Sequence, residues 1–129
     1  MATKLERWED ALQRVLSFVD RTLEERHGDR WPLHPARPPH GTAANPQYDG
    51  LFRVTAAFSA GYGSEQGPGY LFRVEPVTLA AVPPEARAAL EEEAVGLLRE
   101  GLLREFPGRD LRVERDGPAY KIVGDLSLS

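Results

Sequence analysis

The segment LFRVTAAFSAGYGSEQGPGYLFRVEP, residues 51–76, carries the clearest β-structure pattern of the chain. Two runs rich in β-branched and aromatic residues flank a segment that contains four glycines and a proline. Alternate residues of an extended chain point to the same side. In each run one side is apolar, and its members are Phe52, Val54 and Phe58 in the first and Tyr70, Phe72 and Val74 in the second. The pattern predicts a β-hairpin with one buried face.

The hairpin register follows from the requirement that both apolar sets share one face. A nine-residue loop over residues 61–69 meets it, and pairs Ala60 with Tyr70 and Phe58 with Phe72. An aromatic cross-strand pair of this kind contributes about 0.2–1 kcal/mol to the stability of the sheet. The glycines then occupy a long loop, where a positive φ costs a glycine little.

The same glycine-rich loop also raises the question of phosphate binding. A Walker A loop requires a Gly-Lys-Ser/Thr sequence that leads into a helix, and a dinucleotide fingerprint also precedes a helix. This loop contains no lysine and leads into a strand. The sequence therefore predicts a hairpin connection that binds no nucleotide. Tyr62 and Gln66, at the tip of the loop, remain candidates for contact with another ligand.

Two other segments have helical spacing. Apolar residues at positions 5, 8, 12, 15, 16, 19 and 23 form one stripe, and Thr3 with Glu6 is typical of a capping box. The first helix is expected from about Lys4 to His27. A second helix is expected to begin at about Pro84 and to end before the Pro-Gly pair at 107–108.

A second hairpin is predicted near the C-terminus. Asp116-Gly117 is a two-residue turn signal, and a tight turn there pairs Val113 with Tyr120 and Leu111 with Ile122. The resulting order is α-β-β-α-β-β. It predicts an α+β fold, a single domain over residues 1–129, in which two helices pack on one face of a four-stranded, mainly antiparallel sheet.

The amino-acid composition excludes several classes of function for the protein. The net charge of −4 gives no general attraction to nucleic acid or to anionic lipid. The absence of cysteine excludes disulfides, thiolate nucleophiles and thiolate metal sites. No signal peptide and no apolar run of membrane-spanning length is present, so we expect a cytoplasmic protein that does not enter a membrane. No cofactor is predicted.

A proline-rich arm, at about residues 29–48, connects the first helix to the first hairpin. Its prolines forbid regular helix and central strand, and Trp31 and Leu33 are expected to anchor it to the domain. The arm also suggests a metal site, because histidine is the commonest metal ligand. The candidate ligands are His34, His40 and Asp49. The glutamates at 24–25 and 91–93 are interpreted as solvated helix surface.

The sheet face opposite the helices is expected to be open and of mixed character, with Lys121 among the residues that look outward. Arg53 and Arg73 on this face are candidates for ligand binding. The same face carries an apolar set that solvent alone does not favour, made up of Ala57, Leu71, Val77 and Leu79. We expect a symmetric homodimer that is built from this face, with this set as its interface, or from an exposed strand edge.

The sequence favours a non-catalytic binding or assembly module that acts as a homo-oligomer. The alternative is a small enzyme or a metal- or ligand-binding protein with its site between the proline-rich arm and the first hairpin. A weaker alternative is an RNA-associated protein that uses the arginines of the open face, although an RNA-binding sheet presents aromatic side chains for stacking.

Overall fold

The computed structural model describes residues 3–126 and confirms the α+β fold and the order of its elements. The helices and strands are α1 (Lys4–His27), β1 (Phe52–Ser59), β2 (Gly69–Pro76), α2 (Pro84–Glu105), β3 (Leu111–Asp116) and β4 (Ala119–Gly124), with a short 3-10 helix at Pro46–Tyr48. The four strands form one antiparallel sheet in the spatial order β1-β2-β4-β3. Over this described part of the chain, neither helix has the length and apolar character that crossing a membrane requires.

Helix α1 begins and ends where the sequence indicated. The Thr3 hydroxyl accepts a hydrogen bond from the Glu6 N–H at 3.1 Å, which satisfies one of the free donors of the first turn. The helix ends at His27, and the following Gly28 has φ −63°. Its C-terminus therefore closes without a left-handed residue.

Both helices pack on one face of the sheet. The core joins apolar residues of α1 and α2 to those of the strands, namely Leu12, Val15, Leu16, Val19, Leu23, Leu90, Ala94, Leu98, Leu102, Phe52, Val54, Phe72, Val113 and Ile122. A Cβ atom on Gly101 would lie 2.8 Å from Val15 Cγ1. Gly101 therefore allows the close approach of the two helices, whereas a Cβ on Gly96 would meet no atom within 4 Å.

The first hairpin has the predicted face but a different register. Phe58 pairs with Tyr70 rather than with Phe72, which pairs with Ala56, and the nine-residue loop covers residues 60–68. The pairing is therefore shifted by two residues from the prediction. A shift of two leaves every side chain on its face, so the alternation alone could not distinguish the two registers.

The second hairpin shows the same kind of shift. Asp116 pairs with Ala119 and Val113 with Ile122, so the turn residues are Gly117 and Pro118 rather than Asp116 and Gly117. The predicted turn was wrong because Pro118, which has no N–H, occupies a turn position instead of a ladder position. Gly117 has the positive φ, +62°, that this turn requires.

The glycine-rich loop folds back over the sheet face that the sequence left open. Lys121, expected to look outward to solvent, is 1% exposed beneath it. Its Nζ lies 2.7 Å from Asp116 Oδ2 and donates to the Gly67 carbonyl at 2.8 Å. The Ser64 hydroxyl donates to the same carboxylate oxygen at 2.8 Å. Hydrogen bonds from Lys121 and Ser64 lower the pKa of Asp116. These contacts hold the loop on the sheet.

Phe58, a member of the predicted buried face of the first hairpin, lies outside the core. Phe58 is 61% exposed, although its ring makes an edge contact with Tyr70 at a centroid distance of 5.6 Å. Phe58 lies next to the last residue of β1, which is an edge strand of the sheet.

The proline-rich arm is anchored as predicted at its beginning. Trp31 and Leu33 pack against the core. The His34 N–H donates to the Val77 carbonyl at 3.3 Å, and the Thr78 hydroxyl donates to the Pro32 carbonyl at 2.5 Å. The arm thus runs beside the chain that follows β2 before it turns back toward α1.

Candidate metal centre

Three potential metal ligands converge where the proline-rich arm meets α1. Asp20 comes from α1, His40 from the arm, and Asp49 from the residues just before β1. His40 Nδ1 lies 3.6 Å from Asp49 Oδ1 and 3.8 Å from Asp20 Oδ2. One ligand atom from each of the three residues lies within 4.8 Å of the others.

The position of Asp20 follows from the helical repeat. It comes four residues after Leu16 and three before Leu23, and both of these leucines are buried in the core. The carboxylate therefore lies on the buried side of α1, and Asp20 is 2% exposed. Neither of its carboxylate oxygens accepts a hydrogen bond from residues 3–126.

Asp49 organises the turn that presents His40. The N–H groups of Gly41 and Ala43 each donate to Asp49 Oδ2 at 2.9 Å, and Gly41 has φ +88°. Asp49 is 1% exposed, and its other oxygen, Oδ1, has no hydrogen-bond donor within the described chain. One side of this carboxylate is thus used to shape the arm, while the other faces His40.

Arg37 ties the arm to the beginning of β1. Its guanidinium donates to four main-chain carbonyls, at distances from 2.6 to 3.1 Å, and these belong to Gln47, Asp49, Gly50 and Phe52. A planar fork with five donors suits this task. The result is a fixed distance between the segment that carries His40 and the residue Asp49.

Glu24 adds a third carboxylate beside the cluster. Its Oε1 accepts a hydrogen bond from the Phe52 N–H at 3.0 Å, and a Cβ atom on Gly50 would collide with it. The interpretation of Glu24 as solvated surface is therefore wrong. Burial, reinforced by the charges of Glu24 and Asp49, raises the pKa of Asp20 to about 7, while Arg37 acts in the opposite direction. A metal-free Asp20 is thus largely protonated below neutral pH.

A surface cavity of about 480 Å³ adjoins the cluster. Its lining comes from the end of α1, the arm and the residues before β1, and consists of Glu24, Glu25, Gly28, Asp29, Leu33, Pro39, His40, Gly50 and Leu51. His40 is the cluster residue that also lines the cavity, and its side chain is 34% exposed, against 3% for that of Asp20.

The structure brings together two of the three predicted metal ligands. His40 and Asp49 meet, whereas His34 uses its Nδ1 to accept the Ala36 N–H at 3.0 Å in a local turn. Asp20 was missed. The sequence feature that could have identified Asp20 is a carboxylate at a core position of an otherwise apolar helical stripe.

The predicted ligand-binding residues do not converge. Arg53 pairs across strands with Glu75, with an ion-pair distance of 3.4 Å, and Arg73 is exposed. Tyr62, which is 97% exposed, and Gln66 lie in the glycine-rich loop at the opposite end of the hairpin. No residue of this set lines the cavity beside the cluster.

The four predicted interface residues lie toward the two ends of the first hairpin. Ala57 and Leu71 pair with each other across β1 and β2 near the glycine-rich loop. Val77 accepts the main-chain hydrogen bond from the arm, and Leu79 is 74% exposed. The homodimer stays a prediction.

Comparison with known proteins shows the family to which the chain belongs. A family model described as "Uncharacterised protein" matches residues 3–124. The chain is similar to an uncharacterized protein of Borreliella burgdorferi, with 40% identity over 122 residues that cover 95% of each chain. No solved structure matches.

Proposed function

For a chain that belongs to this family of uncharacterised proteins, we propose a function based on the site itself: Asp20, His40 and Asp49 bind a divalent transition-metal ion. This makes the protein a metal-dependent binding module whose site lies between the proline-rich arm and the first hairpin.

The observation that carries the proposal is a pair of buried carboxylates with unpartnered oxygens. Both oxygens of Asp20 and one of Asp49 lack a hydrogen-bond donor among residues 3–126. Burying a carboxylate without a partner costs several kcal/mol. A divalent cation between the two carboxylates removes this cost, since it balances the excess of the Asp20, Asp49 and Glu24 charges over that of Arg37.

The ligand spacing supports the same conclusion. Ligand atoms about 2.1 Å from a tetrahedral ion lie about 3.4 Å from one another. The distances from His40 Nδ1 to the two carboxylates, 3.6 and 3.8 Å, are only slightly longer. All three ligand atoms lie within 4.8 Å of one another, so the side chains must draw closer together to reach bonding distances.

The donor set indicates which ions fit. Imidazole nitrogen suits Zn²⁺, Fe²⁺, Ni²⁺ and Cu²⁺, while carboxylates also suit Mn²⁺. One imidazole with two carboxylates favours Zn²⁺, Co²⁺ or Mn²⁺ over Ca²⁺, which takes six to eight oxygen ligands. We therefore expect Zn²⁺ to bind more tightly than Mn²⁺, and Ca²⁺ to bind weakly at most.

Isothermal titration calorimetry with Zn²⁺ tests the proposal. We expect one ion per chain in the wild type and a loss of affinity of at least about 10-fold in Asp20→Asn and in His40→Ala. The matched control is His34→Ala, which removes a second histidine of the same arm and should leave binding unchanged. Equal losses in the His34 and His40 variants, or no stoichiometric binding, would refute the proposed site.

A further inference from the structure

We infer that an ion bound by Asp20, His40 and Asp49 keeps at least one coordination position open to the adjoining cavity, and that a small neutral or cationic donor ligand binds there. This inference rests on the proposed function and extends it. Such an ion could exchange an external ligand, unlike a structural metal ion that is bound by protein ligands alone.

The difference in burial between the three ligand side chains indicates on which side of the ion the open coordination position lies. The side chains of Asp20 and Asp49 are 3% and 1% exposed, whereas that of His40 is 34% exposed and lines the cavity. The protein therefore occupies the inner side of the ion with carboxylates, and the side next to the imidazole faces the cavity.

The number of protein ligands, three, supports an exchangeable coordination position on the ion. Structural zinc sites have four protein ligands, while sites that take water or substrate have three and leave the fourth position free. The nearby carboxylate of Glu24 has one oxygen committed to the Phe52 N–H at 3.0 Å. Neither oxygen of Glu24 belongs to the group of ligand atoms that lie within 4.8 Å of one another, which comes from Asp20, His40 and Asp49.

The cavity has room for a ligand beyond water. Its volume of about 480 Å³ lies within the roughly 300–1,000 Å³ range of small-molecule sites. Leu33, Pro39 and Leu51 give it an apolar wall, while the carboxylates lie on the side of α1. A compact molecule with one metal-binding donor atom and an apolar part would fit a cavity with one apolar and one acidic side.

Charge determines the class of ligand. Glu24, Glu25 and Asp29 line the cavity, and none of the described lining residues is a lysine or an arginine. The cavity also lies at the C-terminal end of α1, where the helix dipole is negative. Because a divalent ion only balances the charge of the cluster, the surroundings stay acidic and disfavour multiply charged anions such as phosphate.

Visible absorption of the Co²⁺-loaded protein tests the inference. The probes are imidazole, which is neutral at about pH 8, and inorganic phosphate. We expect imidazole to shift the Co²⁺ bands in a saturable way while the ion stays bound, as checked by ultrafiltration. Phosphate should require a concentration at least about 10-fold higher to cause a change. The charge reversal Glu25→Lys, which alters no ligand, should narrow this difference, whereas Glu92→Lys on the exposed side of α2 should not.

The outcomes separate the two proposals. If no Co²⁺ binds, the proposed function fails and the inference fails with it. If Co²⁺ binds at the three ligands but imidazole leaves its bands unchanged, the open position is refuted while the metal site stands. If phosphate binds as readily as imidazole, or Glu92→Lys acts like Glu25→Lys, the assigned ligand class is wrong.

Discussion

His40 Nδ1 lies 3.6 Å from Asp49 Oδ1, although the two residues are nine positions apart in the chain. The remaining oxygen of Asp49 holds the turn that presents His40 through the N–H groups of Gly41 and Ala43. One carboxylate thus shapes the backbone and faces a candidate metal ligand. The arm is consequently part of the site and not a linker beside it.

Asp20→Asn is expected to stabilise the metal-free protein at neutral pH. In the folded state burial raises the pKa of Asp20 to about 7, whereas an unfolded aspartate titrates near its ordinary value. At a pH between the unfolded and the folded pKa, Asp20 binds a proton in the folded state but not in the unfolded state. The free energy of unfolding therefore falls as the pH rises through this range, and it has fallen by the full amount above about pH 7. The variant should gain at most about 4 kcal/mol there and nothing near pH 4.

Chemical denaturation in the presence of a chelator, at several pH values, measures this effect. Asp10→Asn, which changes an exposed carboxylate of the same helix, is the control and should show no gain. A variant that is less stable than the wild type at neutral pH would mean that the Asp20 charge is satisfied in the metal-free protein.

Arg37→Lys is expected to weaken metal binding although Arg37 is not a ligand. A lysine ammonium cannot reach the four carbonyls that the guanidinium holds, so the arm loses its fixed position relative to Asp49. Losing a supporting residue of this kind typically costs about 10–100-fold in metal affinity. A competition titration with a chromogenic chelator gives the affinity, and Arg30→Lys in the same arm is the control. An unchanged affinity in Arg37→Lys would show that the cluster assembles without it.

Lys121→Met is expected to release the glycine-rich loop. The substitution keeps an unbranched, flexible side chain but removes the ion pair with Asp116 and the hydrogen bond to Gly67. Hydrogen bonds to a charged group are stronger than those between neutral groups, so their loss should free the loop from the sheet. Chymotrypsin should then cleave faster after Tyr62, which is already 97% exposed. The control is Lys4→Met, at the other lysine of the chain, which should leave the cleavage rate unchanged. Equal cleavage rates in the two variants would show that Lys121 does not hold the loop on the sheet.

We expect a homodimer in solution, with the predicted interface residues Ala57, Leu71, Val77 and Leu79 at its contact. Light scattering should give about twice the monomer mass of 14.3 kDa, and Leu79→Asp should reduce it while Glu92→Lys should not. Leu79 suits the test because it is 74% exposed and its substitution leaves the core intact. A monomer mass for the wild type at micromolar concentration is the result that rules the dimer out.

The helices and the strand faces could be predicted because they depend on local periodicity. The stripe of α1 and the alternation of Phe52 and Val54 each repeat with the period of one element. The registers could not be fixed, since a shift of two residues preserves the alternation. The burial of Lys121 also escaped prediction, because it depends on a loop that returns over the sheet from more than fifty residues away.

The site was predictable only in part, for a similar reason. His40 and Asp49 could be chosen as ligands by residue type, but His34 could not be excluded, since its local turn with Ala36 depends on the conformation of the arm. Asp20 stands at a core position of α1 and could be recognised as an exception to the apolar stripe. The position of the arm relative to Asp49 depends on the hydrogen bonds of Arg37 to the Asp49 and Phe52 carbonyls, which no short-range pattern indicates.

The most direct test of the metal site is anomalous diffraction from crystals of the protein soaked in Zn²⁺. The expected result is a single strong anomalous peak per chain, with Asp20, His40 Nδ1 and Asp49 Oδ1 at about 2.0–2.2 Å from the ion. A peak at other residues, or ordered waters in place of an ion between these three side chains at saturating Zn²⁺, would contradict the account.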